Sequence, residues 1–555
     1  MKVQTRAERK TQSVRLFSVR LSAFGVVAAT IVACSSDSGK SVGAEKLGKT
    51  KSPLTIASAN YEVQDTKWSR SETTTAYTPG FLGQAGRWVV AWNGYQPGML
   101  MEWAVSDDMD GTSWQTREMS SPTDFGNPGP SPYWASGIGG GESRPFFGWA
   151  GDPSLAIDTN PLTNNYFSRV YLVNLAQVTY PDETEHTDEI IVALSEDQGS
   201  NWRSTHYLTT GDDNGATGTP VSGGGVDLPK IASNFAAPYH SFGVWNVPGK
   251  TWLRRFSFDG SGQFEGDDPI EVPQVEGSAA APDLSFVKLP TGCSGGGEGV
   301  AVVYASAALG RCYHALGDPI PDPRPTNFIQ WYLAIYDVNA AAWLGPFLIS
   351  EDPELPLCVG KSGVSTNNAS AHVAGDPNGP HLWISHTKGT RYGTRAVVEY
   401  GHIECSDGVA EPSFTQIVSP EPCVVDPPTG HCLPNELSTG PVVQDEWLPG
   451  IAFADDGSTK RTVMYWYGTR SDQDNSLTKV YAMYEENFGG WSAVQTLYVA
   501  PPGNTGGWRE HRSKTWDYNL LGADYYRSRF LPAWAGDARY PGTPAAARIQ
   551  TVLLF

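Results

Sequence analysis

Ser195-Glu196-Asp197-Gln198-Gly199-Ser200-Asn201-Trp202 is the stretch on which the fold turns. It fits Ser-x-Asp-x-Gly-x-x-Trp at every fixed position. It follows the apolar run Ile190-Ile191-Val192-Ala193-Leu194, which reads as a strand. The chemistry of the box is local. Ser and Asp side chains can hold the N–H groups of a tight turn, and Gly199 can take φ > 0. Trp202 then folds back as an apolar plug.

Looser copies of the same punctuation recur. Ser106-Asp107-Asp108-Met109-Asp110-Gly111-Thr112-Ser113-Trp114 is one residue too long, and Ser257-Phe258-Asp259-Gly260-Ser261-Gly262-Gln263-Phe264 keeps Ser and Asp but ends in Phe. A second template precedes apolar strands: Pro153-Ser154-Leu155-Ala156, Pro229-Lys230-Ile231-Ala232, Pro282-Asp283-Leu284-Ser285 and Pro449-Gly450-Ile451-Ala452. Pro79-Gly80-Phe81-Leu82 is a looser copy. Ala369-Ser370-Ala371-His372 and Tyr518-Asn519-Leu520-Leu521 are copies without Pro. The seven anchors lie 53 to 87 residues apart, enough for four strands and their loops. A second, nearly continuous apolar run follows each anchor, such as Trp88–Trp92, Val300–Tyr304 and Val463–Tyr467. Such runs suit strands covered on both faces.

The box and the repeats resemble the Asp-box (BNR-repeat) β-propellers of the sialidase-like family. The resemblance implies an all-β fold, a single propeller of four-stranded blades over residues 53–555. Seven blades are expected, with six as the alternative. It places Ser195, Asp197, Gly199 and Trp202 on the rim as structural residues. Closure of the last blade needs a strand from residues 53–70.

Composition agrees with many short strands and turns: 60 Gly, 41 Pro, 19 Trp, 24 Tyr and 20 Phe in 555 residues. Residues 1–33 read as an export signal, with a basic segment (Lys2 to Arg20) and a short apolar core from Leu21 to Ala33. The end of this segment, Ile31-Val32-Ala33-Cys34, resembles a bacterial lipobox, which implies lipidation at Cys34; an ordinary secretory signal or uncleaved anchor is the alternative. Residues 34–52 then form a flexible polar tether. Ser35 after the cysteine implies, by the same resemblance, anchoring in the outer membrane, facing periplasm or exterior. The net charge of −20 becomes about five units more negative without the basic first 33 residues. So acidic a chain is repelled by phosphate backbones, which disfavours nucleic acid as a partner. A carbohydrate or a surface protein is the expected ligand, and the chain is expected to be a monomer.

Six cysteines follow Cys34, an even number that suits disulfides in an exported protein. Short loops favour Cys423–Cys432 and Cys293–Cys312, leaving Cys358–Cys405, among fifteen possible pairings. Neither Cys-x-x-Cys nor His-Glu-x-x-His occurs, so no zinc site and no cofactor is expected. The run Asp182-Glu183-Thr184-Glu185-His186-Thr187-Asp188-Glu189 could bind Ca²⁺ through oxygens, or be a solvated acidic loop.

In propellers of this family the inner strand begins, and the second strand ends, at the functional mouth. That placement selects Asp152, Asp227, Asp283, Glu446 and Asp537 as candidate catalytic carboxylates. It selects Asn93, Tyr95, Trp245, Arg311, His386, Lys388, Arg391, Arg470, Asp472 and Arg539 as candidate ligand contacts. Trp466-Tyr467-Gly468-Thr469-Arg470-Ser471-Asp472, which resembles a turn of the same family, adds Tyr467. Arginines, carboxylates and aromatics together suit a sugar, through stacking and charge-assisted hydrogen bonds. Two functions remain open. One is a propeller that binds extracellular glycan or protein at its mouth. The other is a glycoside hydrolase using opposed carboxylates. The family's Arg-Ile-Pro motif is absent, Ser143-Arg144-Pro145 being the nearest stretch, which argues against strict exo-sialidase chemistry.

Overall fold

The computed structural model describes strands and turns between residues 61 and 554. Residues 1–60, 119–145, 210–225, 306–328, 353–370, 434–445, 499–507, 510–518 and 539–545, with some shorter segments, lie outside the described residues. The signal, Cys34 and the tether are therefore outside it. No described helix is long and apolar enough to cross a membrane.

The architecture is an all-β propeller. Six sheets each carry a four-strand antiparallel meander. Their innermost strands are Arg70–Thr78, Phe146–Asp158, Asp227–Ser233, Ala280–Leu289, Ala371–Gly375 and Glu446–Asp455. We number these blades 1 to 6. The seventh repeat is split into two ladders. Gly522–Asp524 pairs with Arg529–Leu531, and after Pro532 the strand Ala533–Ala538 pairs with Ala546–Thr551. Tyr61–Gln64 adds antiparallel to Ala546–Thr551, with Tyr61 opposite Thr551. The expected closing strand from residues 53–70 is thus present, and it joins the start of the described chain to its end.

The second strands are the buried ones, as their continuous apolar runs require. Trp88, Val89, Val90, Ala91 and Trp92 are all fully buried, as are Val300 to Tyr304. Apolar clusters fill the spaces between neighbouring blades. One holds Val89, Trp103, Leu172, Ile191 and Trp202 from blades 1 and 2. Trp202 belongs to the box that joins the third and outermost strands of blade 2, away from the channel. In that turn Ser195 Oγ donates to Asp197 Oδ1 (2.8 Å) and accepts from Gly199 N (2.9 Å). Asp197 Oδ1 also accepts from Asn201 N at 2.7 Å. The longer blade-1 box closes in a similar way, with Asp108 Oδ1 accepting from Asp110 N and Thr112 N.

The Pro template marks a β-bulge. Ladder register slips at Gly151/Ser154, Asp227/Lys230, Ala280/Asp283 and Trp447/Gly450. In each bulge the residue before Pro is left-handed: Asp152 (φ 56°), Leu228 (φ 50°), Ala281 (φ 49°) and Leu448 (φ 48°). Proline fits where the ladder is interrupted, because it has no N–H to pair. None of these left-handed residues is β-branched, the side-chain class least tolerant of φ > 0. Blade 1 has the same bulge, between Ser71 and Thr74, with Glu72 at φ 53°. Its anchor is therefore Glu72-Thr73-Thr74, and Pro79 instead follows the end of the strand. The Pro-based template missed this copy because Thr73 stands where the others carry proline.

The expected disulfides need correction. Cys293 bonds Cys405, with Cα atoms 5.3 Å apart. This rules out Cys293–Cys312 and Cys358–Cys405. Cys293 sits in the turn after the inner strand of blade 4, and Cys405 lies near the end of the third strand of blade 5, so blade packing rather than a short loop brings them together. Cys312, Cys358 and Cys423 are outside the described residues.

Candidate functional site

The bulge repeats around the propeller, so equivalent positions can be compared. The left-handed position carries Glu72, Asp152, Leu228, Ala281 and Leu448 in blades 1, 2, 3, 4 and 6. Two residues further on stand Thr74, Ser154, Lys230, Asp283 and Gly450. Thr74 Oγ1 accepts from Leu155 N of blade 2 (3.1 Å), and Ser154 Oγ accepts from Ile231 N of blade 3 (3.1 Å). Asp283 Oδ2 accepts from Val373 N of blade 5 (3.0 Å), which makes His372 the blade-5 member of the series. A position used elsewhere to tie one blade to the next thus carries Lys, Asp and His in three consecutive blades.

Acidic side chains gather around Lys230. It is 2 % exposed, and its Nζ donates to Pro229 O at 3.3 Å. Burial pulls its ammonium below the usual lysine range; Asp152, Asp283, Glu72 and Asp227, in falling order, oppose that shift. Glu72 and Asp152 are joined through Asn93 at the end of the second strand of blade 1. Asn93 Nδ2 donates to Glu72 Oε2 and to Asp152 Oδ1 (3.3 Å), while Asn93 Oδ1 accepts from Asp152 N (2.8 Å). Gly151 makes this approach possible: at φ 121° it favours glycine, and a Cβ there would stand 2.8 Å from Asn93 Oδ1. Left-handed, non-glycine residues cost of order 1–3 kcal/mol each and cluster at functional sites. Here Glu72 and Asp152 are both such residues.

The next side of this level is apolar. Leu228 and Ala281 pack with Leu520. Leu520 arrives on the short strand Asn519–Leu520, which pairs parallel to the inner strand of blade 1 (Thr73 opposite Asn519, Thr74 opposite Leu520). Further along the inner strands a separate cavity of about 190 Å³ is lined by residues from all seven repeats, including Tyr77, Ile157, Asn234, Phe286, Phe453 and Tyr525. Among the described residues no Asp, Glu, Lys, Arg or His lines it; the charged cluster lies at the strand starts instead.

Of the expected catalytic residues, Asp152 and Asp283 join this cluster. Asp227 is half-buried, accepts from Leu228 N at 2.9 Å, and contributes charge near Lys230. Glu446 is not free for chemistry. It is fully buried, with Oε2 accepting from Ala396 N at 3.1 Å, so it ties blade 6 to blade 5. Asp537 lies on the strand Ala533–Ala538, and its side chain is outside the described residues.

Three expected ligand contacts are core residues instead. Trp245 is 2 % exposed and packs between blades 2 and 3 with Tyr171 and Phe256. His386 is fully buried, its Nε2 3.3 Å from Glu399 Oε1 and its ring 5.6 Å from Trp331. Tyr467 stacks on Trp447, and its hydroxyl accepts from Ala535 N at 3.0 Å. All three lie on second strands, whose side chains alternate into the spaces between blades. Arg391, Arg470, Asp472 and Arg539 are outside the described residues, as is 182–185 of the acidic run. Among the described residues no group of three His, Cys, Asp or Glu is placed to hold a metal ion.

Glu72, Lys230 and His372 were not selected from sequence. Lys230 and His372 sit within copies of the repeat, and aligning those copies by the bulge exposes the Lys, Asp, His series.

No family model matches the chain, and no curated protein does. Solved structures match at the level of fold. An α-L-arabinofuranosidase from Fusarium graminearum is 10% identical, with 90% of this chain and 98% of that one covered at a TM-score of 0.33. An intramolecular trans-sialidase from Ruminococcus gnavus is 9% identical, with 77% and 95% covered at 0.36. The NanB sialidase of Streptococcus pneumoniae is 9% identical, with 86% and 68% covered at 0.34.

Proposed function

We propose that the chain is an exported glycoside hydrolase, anchored through Cys34 in the outer membrane, that cleaves an extracellular glycan with Glu72 and Asp152. The observation that carries this reading is the shared Asn93 amide nitrogen. Two oxygens within hydrogen-bond reach of one nitrogen are at most about 6 Å apart. That fits the spacing of a retaining pair, about 5–5.5 Å, better than the roughly 6.5–9.5 Å of an inverting pair. Asp152 is assigned as the nucleophile and Glu72 as the acid. It attacks the anomeric carbon as Glu72 protonates the departing oxygen. Water, deprotonated by Glu72, then displaces Asp152. Asn93 positions both carboxylates.

A second reading, glycan binding without cleavage, draws support from the burial of both carboxylates, which are 3 % and 8 % exposed. A glycan panel assayed for binding and for reducing-end release separates the two. Hydrolysis reduced about a thousandfold by Glu72→Gln and by Asp152→Asn, with binding kept, is the expected result. Hydrolysis that survives both substitutions overturns the assignment, and binding without release by the unsubstituted protein favours the second reading.

A further inference from the structure

We infer that Asn519 and Leu520 form the floor of the sugar pocket, and that the Asn519 amide hydrogen-bonds a hydroxyl of the bound glycan. This rests on the glycan reading above. Asn519–Leu520 is not a blade strand. It adds to the free edge of the inner strand of blade 1, the edge that faces the channel. From there Leu520 reaches Leu228 of blade 3 and Ala281 of blade 4. On the blade-6 side, Gly450 occupies the repeat position filled by Thr74, Ser154, Lys230 and Asp283 elsewhere. A Cβ on Gly450 would stand 2.5 Å from Asn519 O. The missing side chain is what lets the segment pass, so blades 1, 3, 4 and 6 all meet it at the level of the bulges.

Asn519 is 2 % exposed. One end of its amide meets Thr73 Oγ1 at 2.9 Å, one residue along from Glu72. The other end, Nδ2, has no partner among the described residues. A buried amide left so is costly unless something polar meets it. A sugar hydroxyl both donates and accepts, and the apolar C–H face of the same ring suits Leu520, Leu228 and Ala281.

The test compares Asn519→Ala with Thr73→Val, both measured for oligosaccharide binding, for KM and kcat, and for melting temperature. Asn519→Ala is expected to weaken binding and raise KM about tenfold, with kcat little changed and the melting temperature lowered by loss of the Thr73 contact. Thr73→Val, which removes the contact at the satisfied end together with the Thr73 hydroxyl's bond to Ala533 O, is expected to lower the melting temperature and leave KM alone. Should Asn519→Ala fail to fold, Leu520→Ala must weaken binding in its place. Unchanged binding in the folded variants overturns the inference while leaving hydrolysis by Glu72 and Asp152 intact. Binding that depends on Asn519 in a protein that releases no sugar overturns the hydrolase reading and leaves this one standing.

Discussion

Asp283 and His372 occupy the same repeat position in neighbouring blades, and their side chains meet, Oδ2 to Nδ1, at 3.2 Å. The same Asp283 oxygen takes the backbone N–H of Val373 at 3.0 Å. Asp283 therefore seals blade 4 to blade 5 as Thr74 and Ser154 seal earlier blades, and it also faces Lys230. One residue serves both the ring and the candidate site.

Asp283→Ala should show both roles. It strands the Val373 N–H and removes a carboxylate that faces Lys230, with an expected loss of about 1–3 kcal/mol. Denaturant unfolding measures it. Asp283→Asn, which can still accept from Val373 N, should recover part of the loss.

The Asp-box should matter to folding alone. Asp197→Ala removes the acceptor of Ser195 Oγ and Asn201 N, at an expected cost of about 1–2 kcal/mol. Trp202→Ala empties a site that is 1 % exposed in the core between blades 1 and 2, costing about 3–5 kcal/mol. Glycan affinity at a temperature where each variant is folded should equal that of the unsubstituted protein.

Gly450→Ala should disturb the floor of the pocket. Its Cβ would stand 2.5 Å from Asn519 O and 2.6 Å from Tyr465 Cε1, so one or both must shift. Overpacking of this kind costs about 1–3 kcal/mol. Reduced glycan affinity together with a lower melting point is the expected result.

Alkaline pH should unfold the protein through its tyrosines. Burial raises the pKa of Tyr171, Tyr304 and Tyr465 above the ordinary value of 10. The folded state then keeps phenol protons that the unfolded state has lost, so stability is intact below pH 10 and falls as pH rises beyond it. Near-ultraviolet circular dichroism and tyrosinate absorbance should change together. Tyr304→Phe should move that transition to higher pH.

Disulfide mapping discriminates between sequence and structure. A non-reduced digest should yield a Cys293–Cys405 peptide pair. The bond spans a sequence separation of 112 residues, so Cys293→Ser with Cys405→Ser should cost about 2–5 kcal/mol. Recovery of Cys293 linked to Cys312 would contradict the blade packing described here.

The sequence by itself determined the all-β propeller architecture but not the blade count. Seven blades are expected from the repeats, and six four-strand blades form while the seventh repeat is split. Alternating and continuous apolar runs, the Ser195–Trp202 box and the repeated Pro template are local signals, and each folded as local chemistry demands. Asp152 and Asp283 were legible for the same reason, since both lie beside a proline of the template. What only the tertiary structure decided is everything that depends on one blade meeting another. Tyr61 closes onto Thr551, and Cys405 rather than Cys312 faces Cys293. Glu72 meets Asn93 through a bulge without proline, and Asn519 lies between the inner strand of blade 1 and Gly450 of blade 6. Trp245, His386 and Tyr467 have the composition of a binding site, yet the pleat turns them into the spaces between blades. A ladder can slip by one residue at a bulge and send a side chain to its other face. Packing between blades fixes that register, and it acts across hundreds of residues that no local pattern spans.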